Sequence, residues 1–512
     1  MSRRVGDPVV PREIELKLHF PPGSRNLLEA SAILAASESR LCQQITTYYD
    51  TPDCALSRAG LSLRVRQSGE TRIQTVKSLV YGQSLAAIRK EFAWPIDQDW
   101  PEVDRLAEFT ELATIAQLIR NRLEPVFVTD VHRTTRLLHL ADDTDVEVAI
   151  DVGQIAAGTA CSLVSELELE LKRGNIRQMY RLAADLQQIA PMWISAESKS
   201  ERGWHLRTGQ TEGARRAQIT NLGRRVLAAD GLREIIDLKL GHLVANIGPT
   251  LSGNPEGVHQ IRIALRGSRA VLSLFAGHLD ATAVARFDDA LKHFGLVFGE
   301  ARDWDVFCLQ TLPAAMSDLP AERIWDLHPA AEVERQAAHA TVRAALLGPE
   351  FTALLLSMAI WLDAGSAQPN GLVGERMDGR LDRLAPSLLN RVARKTKKCS
   401  QQAGRLSEEN LHRLRKALKK LFYDVEDLSG LFGYRVAKKY LHRCGALGAL
   451  LGVSTDAVAT QLLALNLVTE SRQDLAQPAG ALAKWSARRG RRARKKFLVM
   501  LPGFHDLQPI WS

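Results

Sequence analysis

The segment Ser165–Lys172 alternates strictly between leucine and charged or polar side chains, reading SELELELK. Successive side chains of a β-strand point to opposite faces, so Glu166, Glu168, Glu170 and Lys172 share one face and the leucines share the other. Neighbouring carboxylates repel one another unless cations lie among them. The segment therefore predicts a strand whose charged face meets a complementary set of Lys and Arg side chains.

The same period of two recurs throughout residues 11–207, separated by helical patterns near 24–39, 105–120 and 174–190. The further predicted strands are Glu13–Leu18, Leu61–Arg66, Thr71–Ser78, Arg89–Ile96 and Val146–Val152. Each strand alone is consistent with a solvated sheet surface that carries cross-strand ion pairs. As a set they favour a closed barrel with a charged interior, where carboxylates could hold a divalent metal and cations a polyanion. This half is predicted to be α+β with antiparallel sheet.

From about residue 218 the apolar residues recur at helical spacing, after a polar linker at 208–217. The segment 258–275 resembles 411–428 at one constant offset (412 − 259 = 153), and 298–303 resembles 451–456 at the same offset. We therefore predict a helical domain at 218–505 that consists of two related helical bundles, about 218–365 and 380–505.

The charge of the chain is unevenly distributed. Residues 1–207 carry 25 basic and 28 acidic side chains, whereas 208–512 carry 42 basic and 30 acidic ones. The basic second half predicts an anionic partner. The six cysteines are scattered without a CxxC pair, which is typical of a reducing compartment. The N-terminus lacks the apolar core of a secretory signal, and the apolar stretch near 351–362 is too short to span a bilayer, so we expect a cytoplasmic protein without a membrane partner.

Several motifs of the first half resemble the CYTH family, the triphosphate tunnel metalloenzymes. They follow the order of that family as EIELK at 13–17, YYDTPD at 48–53, LSLRVR at 61–66, Lys77, IRKEF at 88–92, VEVAIDVG at 146–153, SELELELKRG at 165–174 and SKSERG at 198–203. The resemblance covers about 195 residues. It implies an eight-stranded antiparallel tunnel that binds a triphosphate group.

The resemblance also implies roles for individual residues of the tunnel. The implied metal ligands for Mg²⁺ or Mn²⁺ are Glu13, Glu15, Glu166, Glu168 and Glu170. The implied phosphate ligands are Lys17, Arg64, Arg66, Lys77, Arg89, Lys199 and either Arg133 or Arg136, whose strand parity the sequence leaves open. The catalytic candidates are Glu13, Glu15, Lys17, Glu91, Glu147 and Asp151. We read His19 as a surface or packing residue, and Tyr48 as part of the tunnel wall.

In the helical half, two matching helices carry cations on one stripe. The first has His259, Arg262, Arg266 and Arg269, and the second has His412, Arg415, Lys416 and Lys419. Like charges at this spacing disfavour an isolated helix, so a bound anion would compensate them. The motifs VHQIRIALRGSR and GEARDWDVF resemble the CHAD domain. The resemblance implies an all-α pair of pseudo-symmetric four-helix bundles with a basic surface for inorganic polyphosphate. No base-reading motif accompanies these cations, so we expect no specific nucleic-acid partner.

Together the two resemblances favour a metal-dependent inorganic triphosphatase that hydrolyses tripolyphosphate to pyrophosphate and phosphate, with a CHAD domain that binds polyphosphate. One alternative keeps the tunnel but changes the substrate to thiamine triphosphate or a nucleoside triphosphate, or cyclises ATP. Another is a non-catalytic polyphosphate-binding protein of polyphosphate granules. The sequence leaves open the preferred metal, the oligomeric state and any coupling between the domains.

Overall fold

The structure is a computed structural model that describes residues 12–78, 84–363, 377–403 and 407–511. The described residues divide into two compact units. The first unit comprises Met1–Arg215, Leu240–Asn254 and Leu346–Ala364, and the second comprises Arg216–Lys239, Pro255–Ala345 and Gly365–Ser512. Two segments that the sequence assigns to the helical domain therefore pack within the first unit.

The first unit is built on an antiparallel sheet that closes on itself. Its described strands are β1 (Arg12–His19), β2 (Arg40–Asp50), β3 (Leu61–Ser68), β4 (Thr71–Ser78), β5 (Ala87–Ile96), β6 (Glu124–Leu140), β7 (Thr144–Ala157), β8 (Ala160–Arg173) and β9 (Trp193–Ile194). The order is β5-β4-β3-β2-β6-β7-β8-β1, with the short β9 beside β1, and β1 also pairs with β5. The predicted eight-stranded antiparallel tunnel is thus confirmed.

The register of β1 and β8 shows why the alternating sequence closes this way. Lys17 lies opposite Glu168, and Leu16 lies opposite Leu169. Leu16 and Leu18 of β1 and Leu167 and Leu169 of β8 are fully buried outside the barrel wall, whereas the charged side chains between them face the interior. Burial of the leucine face drives the sheet together, and the interior charges are tolerated because opposite signs meet there.

Seven helices precede the long helical region. They are α1 (Arg25–Glu29), α2 (Ala32–Ala35), α3 (Ala55–Arg58), α4 (Val103–Leu106), α5 (Ala113–Ile119), α6 (Ile176–Ile189) and α7 (Lys199–Thr208). Helix α7 begins with a capping box between Ser198 and Glu201 and contacts β6, β7 and β8. A Cβ at Gly203 would lie 2.2 Å from the Phe127 ring, so glycine lets α7 approach the barrel and point its first residue, Lys199, inside.

Eleven further described helices follow. They are α8 (Ala228–Val244), α9 (Ile247–Leu251), α10 (Pro255–Phe275), α11 (Ala281–Val306), α12 (Leu312–Asp318), α13 (His328–Leu347), α14 (Pro349–Asp363), α15 (Leu381–Ala403), α16 (Glu408–Phe432), α17 (Tyr434–Asn466) and α18 (Ala476–His505). The pairs α10/α16 and α11/α17 begin at the offset that the sequence repeat predicts. In the first unit, the apolar α14 packs on α6, where Gln187 donates a 2.9 Å hydrogen bond to the Pro349 carbonyl.

One helix is longer and more apolar than the sequence analysis anticipated. By length and composition, Arg435–Asn466 could cross a membrane, with a mean hydropathy of 1.4 in its most apolar window. The bent pair Ile324–Leu347 and Pro349–Asp363 passes the same test only if both helices are counted as one span. This is weak evidence for a span, because core helices of globular proteins also pass. In this structure 28% of that window is buried, and α17 packs against α16 and α18.

Candidate active site

The barrel encloses a cavity of about 300 Å³ whose wall is almost entirely charged or hydroxylic. The acidic lining residues are Glu13, Glu15, Glu91, Glu147, Glu168 and Glu170, and the basic ones are Lys17, Arg64, Arg66, Lys77, Arg133, Lys172 and Lys199. Five of the eight strands of the ring and the first residue of α7 supply a lining cation. A cavity lined by both signs of charge suits a polyanion together with a cation.

The inner end of the cavity is an ion cluster centred on Lys199. The ammonium lies 2.7 Å from Asp151 Oδ2, 2.7 Å from Glu166 Oε2 and 2.8 Å from Glu168 Oε1. Arg133 pairs with both Asp151 and Glu168. Burial alone would lower the pKa of Lys199, but the three carboxylates outweigh it and raise that pKa well above its usual value.

These three carboxylates also have the mutual spacing of a metal site, since their ligand oxygens lie within 4.8 Å of one another. Lys199 already places its ammonium among them, however. Glu166 is fully buried and its second oxygen accepts a 2.7 Å hydrogen bond from Arg202. Both oxygens of Glu166 are thus bound by cations in this structure, and its role as a metal ligand stays a prediction. Asp151, a predicted catalytic residue, is likewise fully buried and serves to hold Arg133 and Lys199.

A second acidic group of the cavity wall comprises Glu13, Glu15, Glu147 and Glu170. Glu170 lies opposite Glu15 on one neighbouring strand and opposite Glu147 on the other. Burial raises the pKa of Glu170, and the nearby carboxylates of Glu13 and Glu147 raise it further against the opposing effect of Lys172. Such crowding of like charges is relieved by a cation, and carboxylate oxygens are the donors that Mg²⁺ and Mn²⁺ prefer. These four residues therefore fit a divalent metal.

Two lining arginines provide the opposite charge. Arg64 lies 3.8 Å from Glu91, whereas no ion pair joins Arg66 to a carboxylate anywhere in the described chain. Burial, together with the neighbouring Arg64 and Arg133, lowers the pKa of Arg66 to about 10. An uncompensated buried guanidinium that faces a cavity is a strong anion site, because its planar donors match phosphate oxygens.

Lys77 is a further cation that lines the cavity. Its ammonium lies 2.7 Å from Glu13 and 2.9 Å from Glu91. The structure also resolves the choice on β6: Arg133 lines the cavity, whereas Arg136 does not. An odd separation of three residues places Arg136 on the opposite face of the strand from Arg133. The prediction that Arg136 could be a phosphate ligand of the tunnel is therefore corrected. The side chain of Arg89, another predicted ligand, lies outside the described part of the structure.

Sequence reasoning missed residues that support the site from outside the alternating strands. His19 Nε2 lies 3.4 Å from Glu166, and Arg202 binds that carboxylate one helical turn after Lys199. Tyr48, read only as tunnel wall, lies beside Arg64; burial would raise its pKa, but Arg64 outweighs that effect and lowers it. The only sequence signal for Arg202 was its position in SKSERG, three residues beyond Lys199 on the same helix face.

The helical unit shows the sequence repeat as a repeated ion pair. Arg262 Nη1 lies 3.1 Å from Asp303 Oδ1 on α11, and Arg415 Nη2 lies 3.1 Å from Asp456 Oδ1 at the corresponding position of α17. Arg262 also donates a 2.9 Å hydrogen bond to the Gly299 carbonyl.

Between these two ion pairs lies a cavity of about 720 Å³, which we call the basic cavity. Its cationic and histidine lining residues are His259, Arg262, Arg266, Arg302, His412, Arg415 and Lys419. Burial lowers the pKa of Lys419 to about 7, and Arg266, Arg415 and Arg262 contribute to that shift. Burial also lowers the pKa of His259 to about 4, with Arg302 adding to the effect. The basic cavity therefore carries more positive charge than its own carboxylates neutralise.

Two predicted polyphosphate ligands lie elsewhere. Arg269 and Lys416 do not line the basic cavity but a neighbouring cleft on the other side of Arg266 and Lys419. Arg269 is also held by Asp288 through two hydrogen bonds of 2.8 and 3.0 Å. In the sequence, the cations of each of these helices lie on one helix face. In the structure that face is divided between two cavities, because it is wide enough to extend past the line along which α10 and α16 meet.

Comparison with known proteins agrees with this architecture. Residues 11–204 match the CYTH domain and residues 234–465 match the CHAD domain. An inorganic triphosphatase of Haemophilus influenzae is 32% identical over 200 residues, which cover 39% of this chain. The match spans 56% of the length of that protein.

Solved structures also resemble the two halves. The CHAD domain of the plant Ricinus communis superimposes with a TM-score of 0.51 at 23% identity, covering 58% of this chain and 98% of that one. A Hippeastrum protein, described as an adenylyl cyclase with a dominant triphosphatase activity, gives a TM-score of 0.29 at 16% identity. It covers 39% of this chain and 96% of that one. The first likeness supports the fold of the helical half.

Proposed function

We propose that this chain, which carries a CYTH domain followed by a CHAD domain, is a metal-dependent triphosphatase that hydrolyses inorganic tripolyphosphate to pyrophosphate and phosphate. The observation that carries the proposal is Arg66, a half-buried cavity-lining guanidinium that forms no ion pair with a carboxylate in the described chain. A cation of this kind needs an anion beside it, and the cavity admits one. The relative from Haemophilus influenzae supports the reaction class.

The proposed roles of the lining residues differ with their charge: the cations bind phosphate and the carboxylates bind metal. Arg64, Arg66 and Arg133 would hold phosphate oxygens at the inner end, with Lys17 and Lys199 fixed beside them by carboxylates. Glu13, Glu15, Glu147 and Glu170 would hold Mg²⁺ or Mn²⁺, which supplies charge stabilisation at the phosphate oxygens when bound. The protein need not form a covalent intermediate, because phosphoryl transfer depends mainly on positioning and electrostatic stabilisation.

A water molecule must attack the phosphorus atom and lose a proton. Glu91 and Glu147 line the cavity and could orient this water. Glu91 is held by Lys77 and Arg64, which outweigh burial and lower the pKa of that carboxyl. It therefore remains ionised and can accept a hydrogen bond. Asp151, in contrast, is engaged by Arg133 and Lys199 and fully buried, so its proposed role is to position those cations.

The cavity wall favours an inorganic substrate over a nucleotide or thiamine triphosphate. Apart from Tyr48 and Ala149, the described lining residues are charged or are serines. Tyr48 is engaged with Arg64 and stacks on Phe127, with ring centroids 4.5 Å apart, so neither group is free to stack on a base. An organic group would have to stay at the mouth, where it would gain little binding energy.

The direct test is phosphate release from tripolyphosphate, ATP and thiamine triphosphate with Mg²⁺, with Mn²⁺ or with EDTA. We expect metal-dependent release that is fastest from tripolyphosphate. Faster release from ATP or thiamine triphosphate would move the assignment to those substrates, and formation of cyclic AMP would indicate a cyclase. Absence of release from all three would favour a non-catalytic polyphosphate-binding protein.

We further propose that the basic cavity of the CHAD domain binds inorganic polyphosphate, and that the protein is cytoplasmic and associates with polyphosphate granules. The residues that would contact the polyphosphate are His259, Arg262, Arg266, His412, Arg415 and Lys419. The supporting observation is the lowered pKa of Lys419, which reflects burial among arginines that a polyanion would neutralise. Reversing Arg266 and Lys419 to Glu should abolish polyphosphate binding and leave tripolyphosphate hydrolysis intact, whereas retained binding would exclude this surface.

A further inference from the structure

A second cavity of the helical unit adjoins the basic cavity but has a different character. This cleft, which we call the mixed cleft, has a volume of about 660 Å³ and lies against α10, α11 and α16. Arg266 and Lys419 line both cavities, so the two meet at these side chains. A volume of this size is typical of sites for small organic ligands.

One end of the mixed cleft is cationic. Arg266, Lys416 and Lys419 line it, and none of them forms an ion pair with a carboxylate in the described chain. Burial lowers the pKa of Arg266, and the nearby Arg262 and Arg415 add to this effect. Arg269 differs, because Asp288 already neutralises it. Lys420 also lines the cleft, where it donates a hydrogen bond to Ser273. Arg266 and Lys419 are the cations at which the two cavities meet, and they favour an anionic group there.

The rest of the lining includes an apolar wall and one aromatic ring, Tyr423, which lies near Arg266. Ala270, Val284 and Ala285 form this wall, and Tyr423 faces the same cleft from α16. Ala285 is exposed and Val284 is partly exposed, so this wall is open to a ligand. A bare phosphate chain gains nothing from an apolar wall, whereas an organic group would bury it favourably. The combination thus fits a phosphate ester with a flat organic part.

We propose that the mixed cleft binds a nucleoside polyphosphate, with the base and ribose against Tyr423 and the apolar wall of Ala270, Val284 and Ala285. Its phosphates would lie on Arg266, Lys416 and Lys419 and extend toward the basic cavity. An aromatic ring stabilises a base by stacking whatever the identity of the base, and the adjoining cations hold successive phosphates. This site shares two cations with the proposed polyphosphate surface but does not depend on the triphosphatase activity of the barrel.

The test uses calorimetry on the full chain in EDTA with adenosine 5′-tetraphosphate and inorganic tetraphosphate. Ala285→Trp fills the apolar wall, and Thr282→Trp adds the same ring at an exposed position that does not line the cleft. We expect Ala285→Trp to weaken one class of adenosine tetraphosphate sites about tenfold or more. Inorganic tetraphosphate binding should change less than about twofold, and Thr282→Trp should leave both ligands unaffected.

A second variant keeps the proposal testable if Ala285→Trp does not fold. Tyr423→Leu keeps an apolar side chain but removes the ring, so it should weaken adenosine tetraphosphate and spare inorganic tetraphosphate. Equal weakening of both ligands by Ala285→Trp would overturn the proposal, because the cleft would then recognise phosphate charge alone. Unchanged nucleotide binding in both variants would also overturn it. Competition by geranyl diphosphate as strong as that by the nucleotide would reassign the cleft to alkyl phosphates.

Discussion

The ammonium of Lys199 lies 2.8 Å from Glu168 Oε1, and this contact joins the first residue of α7 to the acidic strand β8. Through it, a helix at the end of the domain completes the ion cluster inside the barrel. Glu168 is buried among Lys199, Arg133 and Lys17, which outweigh its desolvation and lower the pKa of that carboxyl well below its usual value. The cluster is therefore both a structural anchor and the inner wall of the proposed substrate site.

Removal of Lys199 should be costly for stability. Lys199→Met leaves Asp151, Glu166 and Glu168 without their shared ammonium, and breaking a buried pair in this way costs about 3–5 kcal/mol. Denaturant unfolding should show this loss. The matched control is Lys90→Met, since the Lys90–Glu111 pair is exposed and should contribute less than about 1 kcal/mol. Equal effects of the two substitutions would contradict the assigned role of Lys199.

Substitution of Arg66 should separate stability from activity. No carboxylate of the described chain pairs with Arg66, so Arg66→Met removes repulsion with Arg64 and Arg133 and should leave the unfolding free energy unchanged or raised. Hydrolysis of tripolyphosphate should fall about a hundredfold, as for loss of one preorganised donor. Arg66→Lys should recover part of the rate. A strongly destabilised Arg66→Met protein would show that the guanidinium has a structural partner instead.

Polyphosphate binding by the basic cavity should weaken as the pH rises. The pKa of Lys419 is lowered to about 7 in the free protein, and a bound polyanion favours the charged form and raises it. Lys419 is charged below the free-state pKa, so affinity is full there and falls by up to about tenfold per pH unit above it. Anisotropy with labelled polyphosphate between pH 6 and 9 measures this. The other charged and titratable residues that line this cavity are His259, His412, Arg262, Arg266, Arg302, Arg415, Asp303, Asp456, Glu408 and Glu409.

Lys419→Arg provides the control for this prediction, because arginine stays charged across the whole range. Its binding curve should be flat from pH 7 to 9. A variant with the same pH dependence as the wild type would assign the titration to another lining group. The lowered pKa of His259, about 4, keeps that histidine neutral throughout the measured range, so it does not contribute to the slope.

The repeated ion pairs predict that two acidic residues oppose polyphosphate binding. Asp456→Asn removes the carboxylate that lies 3.1 Å from Arg415, so the guanidinium becomes available to phosphate. Affinity for polyphosphate should rise about two- to fivefold, the worth of an exposed ion pair. Asp303→Asn should act alike on Arg262, and the double variant should show the product of the two effects. Weaker binding would instead show that these carboxylates position the arginines.

The sequence by itself determined the alternating strands, the tunnel interior and the helical repeat. SELELELK places its charges on one face whatever the surroundings, because side-chain direction in a strand is a local property. The repeat was equally visible, since each copy carries its own helix signals, and Arg262 and Arg415 occupy matching positions with matching partners. The cations that face the acidic strand were anticipated for the same reason.

Only the tertiary structure decided which cations each carboxylate meets. Glu166 and Glu170 have the same strand parity, yet α7 delivers Lys199 and Arg202 to Glu166, whereas Glu170 pairs with Lys172 and lies opposite Glu147. The same holds for Arg66, whose lack of a carboxylate partner among the described residues depends on strands far apart in sequence. Charge compensation and desolvation depend on neighbours within a few ångströms in space, and no local pattern encodes which distant side chains those neighbours are.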